Sequence, residues 1–293
     1  MSTAKKLKHI LRSPGGHWVG DGFPVQTLFA YPNLGTQLSP FLMLDYGGPF
    51  EFPATSKRLG VGEHPHRGFE TVTIVYHGEV EHRDSAGGGG KIGPGDVQWM
   101  TAASGLVHEE FHGREYAAKG GPFEMVQLWV NLPAEHKMSA PRYQAILNVQ
   151  IPQIVIADQH GKLRVIAGQY QNRQGPAKTF TDLNVWDITL NTDKGFDLSV
   201  PDGHNCMLVV LKGELELIDG NRIKSAQVGL FDRAGESIKL ESAKEVSALL
   251  LSGEPINEPI VGHGPFVMNT PDEIRQAISD YQNGKMGRLA AKT

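Results

Sequence analysis

Apolar and polar residues alternate with a period of two through most of this chain, and this alternation constrains the fold more than any other feature. A period of two is the pattern of a β-strand with one buried face. Clear examples are the segments 70–76, 79–83, 97–100 and 123–130. The chain also contains 35 glycines and 18 prolines, which suit short strands joined by tight turns. The sequence therefore predicts an all-β fold, either a sandwich or a barrel.

One short pattern occurs in both halves of the chain. Residues 75–80, Val-Tyr-His-Gly-Glu-Val, resemble residues 210–215, Val-Leu-Lys-Gly-Glu-Leu, and a second glycine turn follows each segment. Two copies of one β fold are the natural inference. The length of 293 residues suits two domains of ordinary size. We expect a boundary near residue 140, in a stretch rich in proline and polar residues, which gives domains at 1–140 and 141–293.

A helix is predicted near the C-terminus, at about 271–283. Thr270 is a favourable N-cap, Pro271 suits the first helical position, and Glu273 completes a capping box. Asn283 and Gly284 supply a C-terminal stop. We expect the helix to pack on the wall of a barrel through apolar residues that recur at helical spacing: Ile274, Ala277, Ile278 and Tyr281.

Charge and composition argue against several function classes. The net charge is −4, the pI is about 6.3, and lysines and arginines form no basic face, so direct nucleic-acid binding is disfavoured. The longest apolar runs, such as Met207–Leu211, are too short to span a bilayer. Cys206 is the single cysteine, so no internal disulfide forms. No signal-peptide pattern follows the basic start, and we expect a cytoplasmic protein without membrane partners.

Two short motifs carry side chains that suit a metal ion. Residues two apart on a strand point to the same face. The motif His-Pro-His at 64–66 therefore aims two imidazoles in one direction, and His-Glu-Glu at 108–110 does the same with an imidazole and a carboxylate. If the two strands lie side by side in a barrel, these groups converge. Such a mixed set suits one divalent ion of Fe, Mn, Ni, Co or Cu, with positions left open for chemistry.

Neighbouring residues receive weaker interpretations. Glu109 should face away from Glu110 and is interpreted as a surface carboxylate. Glu70 shares the strand parity of His66, and parity alone does not choose between Glu70 and Glu110 as the carboxylate ligand. His112 is a candidate to support the ligands. Six further histidines lack a partner pattern and are interpreted as surface or structural residues: His77, His82, His136, His160, His204 and His263.

The segment 98–100 offers two pocket candidates. Gln98 and Met100 either line a pocket beside the metal or fill the barrel, whereas packing is the preferred interpretation for Trp99. The second copy of the fold lacks metal ligands. The residues that fall opposite the three histidine positions are Ser199, Pro201 and Ala243. We therefore expect a single metal in the first domain, and a second domain that is structural or closes over the first.

Three long motifs resemble those of the pirins, a family in the cupin superfamily of small jelly-roll barrels. They are His-Pro-His-Arg-Gly-Phe-Glu-Thr-Val at 64–72, Pro-Gly-Asp-Val-Gln-Trp-Met-Thr-Ala at 94–102 and Gly-Leu-Val-His-Glu-Glu at 105–110. The likeness continues at 127–132 and 264–270 and spans nearly the whole chain. It implies two tandem cupin barrels, with one metal ion, usually iron, in the N-terminal barrel.

The pirin resemblance also implies ligands and two function classes. The family ligands fall at His64, His66, His108 and Glu110, which selects Glu110 over Glu70 and leaves Glu70 as an inward-facing candidate to support the ligands. Pirins are associated with quercetin 2,3-dioxygenase activity, in which dioxygen opens the ring of a flavonol and carbon monoxide is released. In such a reaction Glu110 would act as the general base. The alternative is an iron-dependent redox sensor that binds a partner protein, either a transcription factor or a metabolic enzyme.

Overall fold

The computed structural model describes residues 3–290, most of them in β-strands. The strands of the first half are β1 (Leu7–Arg12), β2 (Gly16–Val19), β3 (Phe23–Ala30), β4 (Phe41–Phe52), β5 (Gly60–His66), β6 (Phe69–His77), β7 (Val80–Asp84), β8 (Gly89–Ile92), β9 (Val97–Thr101), β10 (Leu106–His112), β11 (Gly121–Asn131) and β12 (Arg142–Ile146). Those of the second half are β13 (Gln153–Ile156), β14 (Gly161–Ala167), β15 (Gln169–Tyr170), β16 (Arg173–Gln174), β17 (Leu183–Thr192), β18 (Phe196–Ser199), β19 (Asn205–Leu217), β20 (Arg222–Lys224), β21 (Gln227–Phe231), β22 (Ser237–Gly253), β23 (Val261–His263) and β24 (Phe266–Met268).

Helices are short and few among the described residues. The α-helices there are α1 (Tyr31–Leu34), α2 (Arg114–Lys119) and α3 (Pro271–Gln282). Single 3₁₀ turns lie at Gly35–Gln37, Ala134–His136, Asn148–Gln150 and Ala157–Gln159. None of the helices in residues 3–290 has the length and apolar character that crossing a membrane requires. The all-β class expected from the sequence, with a C-terminal helix, is confirmed.

The chain divides into two compact units, each assembled from separate stretches of sequence. Unit A contains Gly15–Thr27, Phe41–Asn148 and residues 256–290. Unit B contains residues 3–14, Leu28–Pro40 and Val149–Pro255. This division differs from a single boundary near residue 140, because three short stretches belong with the other half of the sequence. In unit B, for example, β1 pairs with β21, and Asn205 donates to the backbone oxygens of Thr36 and Ser39 at 3.0 and 2.7 Å.

Two antiparallel sheets form the barrel of unit A. Its described residues give one sheet in the order β5-β10-β7-β8 and another in the order β12-β9-β6-β11-β4-β3-β2. Side chains from both sheets meet in one apolar core, among them Val80 and Ile92 from the smaller sheet and Val75 and Phe123 from the larger. Unit B is built on a sheet in the order β1-β21-β19-β22-β17-β14-β13, with β18 and β20 at its margins. Both units are cupin-type barrels.

The short pattern repeated in the two halves corresponds to the same backbone corner. Gly78, between β6 and β7, has φ of +85°, and Gly213, within β19, has φ of +83°. A Cβ atom at Gly78 would lie 2.6 Å from the ring of Phe123, and one at Gly213 would lie 2.4 Å from the carbonyl oxygen of Lys244. Both corners therefore require glycine for conformation and for space. This equivalence supports the inference that one fold occurs twice.

Helix α3 belongs to unit A and begins as the sequence predicts. The hydroxyl of Thr270 accepts from the backbone N–H of Glu273, whose carboxylate accepts in turn from the N–H of Thr270, so the capping box is complete. Its residues Ile274, Ala277 and Ile278 pack with Val107 and Phe266 of the same unit, whereas Tyr281, expected in the same stripe, is exposed. Asp280, on the same helix, is buried and accepts a hydrogen bond from the guanidinium of Arg67 at 2.9 Å. The helix is thereby fixed to the residue that follows His66.

Candidate metal centre

Strands β5 and β10 bring the two histidine motifs together. They pair antiparallel, with His64 opposite His108 and His66 opposite Leu106. The ring centroids of His64 and His108 are 4.1 Å apart, and those of His66 and His108 are 4.8 Å apart. One nitrogen atom from each of the three rings lies within 4.8 Å of the others. His64, His66 and His108 thus form one group, referred to below as the histidine cluster.

Hydrogen bonds orient the rings of the cluster. The Nδ1 atom of His64 lies 2.8 Å from the carbonyl oxygen of Gly62, and that of His66 lies 3.4 Å from the carbonyl oxygen of Pro265. Because a carbonyl oxygen only accepts, the proton of each neutral ring is on Nδ1 and the Nε2 lone pair remains for a ligand bond. The Nε2 atom of His108 is buried and has no hydrogen-bond partner within residues 3–290. A buried polar atom without a partner costs about 1–3 kcal/mol, and a bound cation would remove that cost.

The two deepest imidazoles are held in their neutral form. Burial lowers the pKa of His66 and of His108 well below the ordinary value, and the neighbouring ring of His64 lowers both further. A neutral imidazole is the form that binds a metal ion, whereas an imidazolium has no lone pair to offer. His66 and His108 therefore keep lone pairs that can form ligand bonds.

A network of side chains holds the carboxylate of Glu110. Its Oε1 atom accepts a hydrogen bond from the side-chain amide of Gln98 and lies 3.4 Å from the hydroxyl oxygen of Thr73. Its Oε2 atom accepts from the amide of Gln127 at 3.4 Å. Three side chains of the larger sheet thus surround one carboxylate of the smaller sheet, and the amides of Gln98 and Gln127 donate to it.

These donors come from a row of polar residues in register across the larger sheet. Thr73 on β6 lies opposite Gln98 on β9 and Gln127 on β11, and Gln127 lies opposite Asp45 on β4. Residues directly opposite each other share a face of the sheet. We refer to Asp45, Gln127, Thr73 and Gln98 as the polar row. It gives the larger sheet a row of polar groups beside Glu110.

The predicted ligands belong to two overlapping groups that suit a metal ion. One is the histidine cluster, and the other consists of His82, His108 and Glu110, with one atom from each within 4.8 Å of the others. His108 is common to both groups. Three imidazoles and one carboxylate form a donor set that fits a divalent transition metal. The residues present are therefore compatible with the metal expected from the sequence.

A cavity of about 360 Å³ in unit A opens beside this centre. His64, His66 and Glu110 form part of its wall, and Gln127 and Asp45 supply further polar groups. Most of the remaining lining is apolar: Val19, Phe23, Val25, Met43, Val61, Met125, Trp129 and Pro265. Its volume lies in the range of about 300–1,000 Å³ that small-molecule sites have. Burial raises the pKa of Asp45, although a hydrogen bond from Thr27 opposes that rise.

Glu70 does not lie beside the histidine cluster, contrary to the parity argument. Thr73 faces the interior, so Glu70, three residues earlier on β6, points to the opposite face. Its carboxylate accepts from the hydroxyl of Thr101 at 2.6 Å and lies 4.0 Å from Arg142. The parity counted from His66 fails because the backbone turns at Gly68, where φ is +88°. Burial raises the pKa of Glu70 to about 7.

The remaining candidates lie in different surroundings. Gln98 contacts Glu110, and Met100, on the same face of β9, packs with Leu106 and Tyr143. Trp99 is fully buried on the other face. His112 faces inward but stacks on Phe123, with ring centroids 4.7 Å apart. Its Nε2 atom lies 2.8 Å from the carbonyl oxygen of Gly22, which places it in an aromatic cluster at the end of β10.

Glu109 points away from the centre, but it is not a surface carboxylate. Its side chain is only 6% exposed. The guanidinium of Arg83 donates to it at 2.7 Å, and that of Arg58 lies 3.1 Å away. Burial alone would raise its pKa, yet these two cations bring the pKa below the ordinary value. Two arginines cover Glu109, a pairing that strand parity does not reveal.

Two buried residues of the centre were not recognised from the sequence. His82 and Asp84 on β7 face the interior, with His82 opposite Glu110 and Asp84 opposite His108. The side chains of His82 and Asp84 are 0% and 1% exposed. The signal available in the sequence was the spacing of an imidazole and a carboxylate two residues apart on a predicted strand. The interpretation of His82 as a residue without a partner was therefore wrong.

Comparisons with known proteins give a consistent result. The family model for pirin matches residues 22–130, and the model for the pirin C-terminal cupin domain matches residues 185–287. A protein of Pseudomonas aeruginosa named "Putative quercetin 2,3-dioxygenase" is 56% identical over 284 residues, which cover 97% of this chain and 99% of that protein.

Solved structures agree with the sequence matches. A quercetin 2,3-dioxygenase from Acinetobacter baumannii, solved by crystallography, has a TM-score of 0.95 and 52% identity, covering 98% of this chain and all of that one. A bacterial pirin from Escherichia coli, crystallised with nickel(II), has a TM-score of 0.60 and 20% identity, covering 84% of this chain and 99% of that one. At that identity the second likeness concerns the fold alone.

Proposed function

This chain belongs to the pirin family, and from that premise we propose that it is a metal-dependent dioxygenase able to open the ring of quercetin-type flavonols. In this proposal one divalent ion, Fe(II), is held by His64, His66, His108 and Glu110. The substrates are a small phenolic molecule and dioxygen. The similarity to the quercetin 2,3-dioxygenase of Acinetobacter baumannii supports a flavonol as the class of substrate, since the two chains are 52% identical over 98% of this one.

The observation that carries this proposal is the unpaired Nε2 atom of His108. His108 itself is buried and belongs to two groups of candidate ligands, one with His64 and His66 and one with His82 and the carboxylate of Glu110. A divalent metal bound there would polarise the oxygen atoms of a flavonol and lower the pKa of its hydroxyl group. The donor set and the adjoining cavity together fit such a role.

Glu110 is the residue that would accept the proton of the substrate hydroxyl. Its carboxylate belongs to the wall of the cavity, so it can meet a bound molecule directly. Gln98 and Gln127 donate to its two oxygen atoms and fix the plane of the carboxylate. Positioned proton transfer of this kind typically contributes about a hundredfold to ten-thousandfold in rate.

The apolar wall of the cavity would bind the aromatic rings and exclude water. Trp129 and Phe23 present aromatic surface there, and Met43 and Met125 add flexible apolar side chains. Asp45 and Gln127, the two residues of the polar row that line the cavity, would bind phenolic hydroxyl groups on one side of it. A buried aromatic-lined space is a feature that a small planar substrate uses and that a partner protein does not require. For that reason we favour the enzyme over the redox-sensing regulatory protein.

The test compares wild type and Glu110→Gln after both have been loaded with the same amount of metal. Oxygen uptake and carbon monoxide release are measured with quercetin under air. An amide oxygen still ligates weakly but does not accept a proton effectively, so we expect the rate per bound metal to fall at least tenfold. Equal rates per metal would remove Glu110 as the base. A wild-type rate no greater than that of free metal would remove the enzyme proposal and favour the regulatory alternative.

A further inference from the structure

Three buried side chains of unit A form a line that ends at the histidine cluster. The Nε2 atom of His82 lies 3.2 Å from Oδ2 of Asp84. The Nδ1 atom of His82 lies 3.2 Å from Nδ1 of His108. The other ring nitrogen of His108, Nε2, has no hydrogen-bond partner among the described residues. All three residues are at most 7% exposed, so water does not compete for these contacts.

The far end of the line is fixed to the backbone. The Oδ1 atom of Asp84 accepts from the backbone N–H groups of Ala86 and Gly88 at 2.8 and 2.9 Å. Burial alone would raise the pKa of Asp84, but hydrogen bonds from His82, Gly88 and Ala86 bring it below its ordinary value. Asp84 is therefore a carboxylate that only accepts. The ring of Tyr143 stacks on His82 with an interplanar angle of 9° and holds it in place.

Counting protons along the line gives one arrangement for neutral rings. Because Asp84 only accepts, the proton of His82 is on Nε2, and its Nδ1 atom carries a lone pair. That lone pair accepts from Nδ1–H of His108. A neutral His108 then has its lone pair on Nε2, the atom that faces the histidine cluster. Each hydrogen bond in the line determines the next one.

We infer that Asp84 and His82 are positioning residues that set the tautomer and ring orientation of His108, so that its Nε2 lone pair is directed to the metal. This inference rests on the metal site of the proposed function. Residues that donate to or accept from the far nitrogen of a metal-binding histidine usually change metal affinity about 10- to 100-fold when replaced. In this protein His82 contacts the far nitrogen of His108, and Asp84 in turn contacts His82.

The substitution Asp84→Asn tests the inference with little change of shape. The amide oxygen can still accept from Ala86 and Gly88, while the amide N–H now donates toward Nε2 of His82. The line then reverses: His82 donates from Nδ1, and the proton of His108 moves to Nε2. Metal must displace that proton to bind. The matched control is Asp96→Asn, because Asp96 also accepts two backbone N–H groups, from Gly93 and Asn148, and contacts neither histidine.

The first measurement needs no metal. Selective ¹⁵N labelling of histidine and long-range ¹H–¹⁵N spectra of the metal-free protein report which nitrogen of His108 carries the proton. We expect the Nδ1–H form in wild type and in Asp96→Asn, and the Nε2–H form in Asp84→Asn. An Nε2–H form in the wild type would overturn the inference whether or not the protein is an enzyme.

The second measurement is the affinity for cobalt(II), by competition with a chelator, together with the visible absorption spectrum of the complex. We expect Asp84→Asn to bind about 10- to 100-fold more weakly than wild type, with an altered spectrum, and Asp96→Asn to match wild type. Unchanged affinity in Asp84→Asn would contradict the inference. Failure of the wild type to bind cobalt would instead contradict the proposed metal site, and the tautomer spectra would still decide the hydrogen-bond line.

Discussion

Thr73 lies directly opposite Gln127 in the β6–β11 pair, and its hydroxyl donates to Oε1 of Gln127 at 2.6 Å. This hydrogen bond fixes which end of the Gln127 amide faces Glu110, because the oxygen is already engaged and the N–H group remains for the carboxylate. The hydroxyl of Thr73 also accepts from Gln98 at 3.2 Å. One threonine thus orients both amides that hold Glu110.

Replacing Thr73 with valine should therefore destabilise the protein. The change keeps the shape of the side chain but removes the donor to the amide oxygen of Gln127 and one acceptor of the buried Gln98 amide, which we expect to cost about 1–3 kcal/mol in the free energy of unfolding. Thr71→Val is the matched control. Thr71 is fully buried on the same face of β6, and its hydroxyl has no hydrogen-bond partner within the described chain.

The control should be neutral or slightly stabilising, since an unpaired hydroxyl is exchanged for a methyl group of similar size. Urea unfolding of both variants in the metal-free state measures the difference. Equal losses in the two variants would mean that the polar row does not act as a hydrogen-bonded unit.

The metal content of purified variants tests the ligand set. His64→Ala and His108→Ala should each lose metal by a large factor, because each removes one imidazole from four ligands. Glu109→Ala should retain it, since Glu109 faces Arg58 and Arg83 instead of the centre. Elemental analysis should give one metal per wild-type chain. Two metals per chain, or equal loss in Glu109→Ala and Glu110→Ala, would contradict the site.

Glu70 predicts a specific pH dependence of stability. Its pKa is raised from 4.5 to about 7 in the folded protein. A carboxyl group with a raised folded pKa contributes stability that is complete below the unfolded pKa and is lost as the pH rises through the folded pKa. The contribution of Glu70 should therefore fall between about pH 4.5 and 7.

Glu70→Gln removes this titration while keeping an oxygen that accepts from Thr101. The difference in free energy of unfolding between wild type and Glu70→Gln should shift in favour of the variant as the pH rises from 4.5 to 7. Urea unfolding at several pH values measures this difference. A constant difference across the range would mean that Glu70 ionises normally.

Because Asp280 of helix α3 forms a buried ion pair with Arg67, we expect its replacement to lower the stability of the protein strongly. Their side chains are 5% and 10% exposed, so Asp280→Ala leaves a buried guanidinium without its carboxylate, with one remaining hydrogen bond to the carbonyl oxygen of Ser104. Loss of one member of a buried pair typically costs about 3–5 kcal/mol. Asp272→Ala on the same helix is the control, because the pair of Asp272 with Arg275 is 82% and 71% exposed and should contribute little. Thermal unfolding distinguishes the two variants, and similar losses would contradict the role of burial.

The ligand motifs could be predicted because they depend on local geometry. Alternation along one strand is enough to show that His64 and His66 share a face and that Glu110 shares one with His108. The roles of His82 and Asp84 depend on the pairing of β7 with β10, a contact between distant segments that no local pattern encodes. Only the order of the strands in the sheet shows that His82 and Asp84 lie beside Glu110 and His108.

Other expectations failed where the backbone departs from a regular strand. Glu70 was assigned to the interior by counting from His66, and the turn at Gly68 reversed the count. The inward face predicted for His112 was correct. The residue lies, however, at one end of the barrel, where its ring packs against Phe52 and Phe123. Strand parity gives a direction and no position along the barrel, so it cannot separate a residue at the centre from one at the rim.

The carbonyl group of Pro265 beside His66, and the carboxylate of Asp280 on Arg67, have a consequence for biosynthesis. Both groups follow the stretch Val149–Pro255 in the chain, although they belong to the same unit as β5. A ribosome therefore finishes all of that stretch before either group can reach the nascent barrel. The contact that orients His66 therefore forms only after the stretch Val149–Pro255 has been synthesised. A chain that stalls after Asn148 would carry its histidines without the carbonyl group that orients His66.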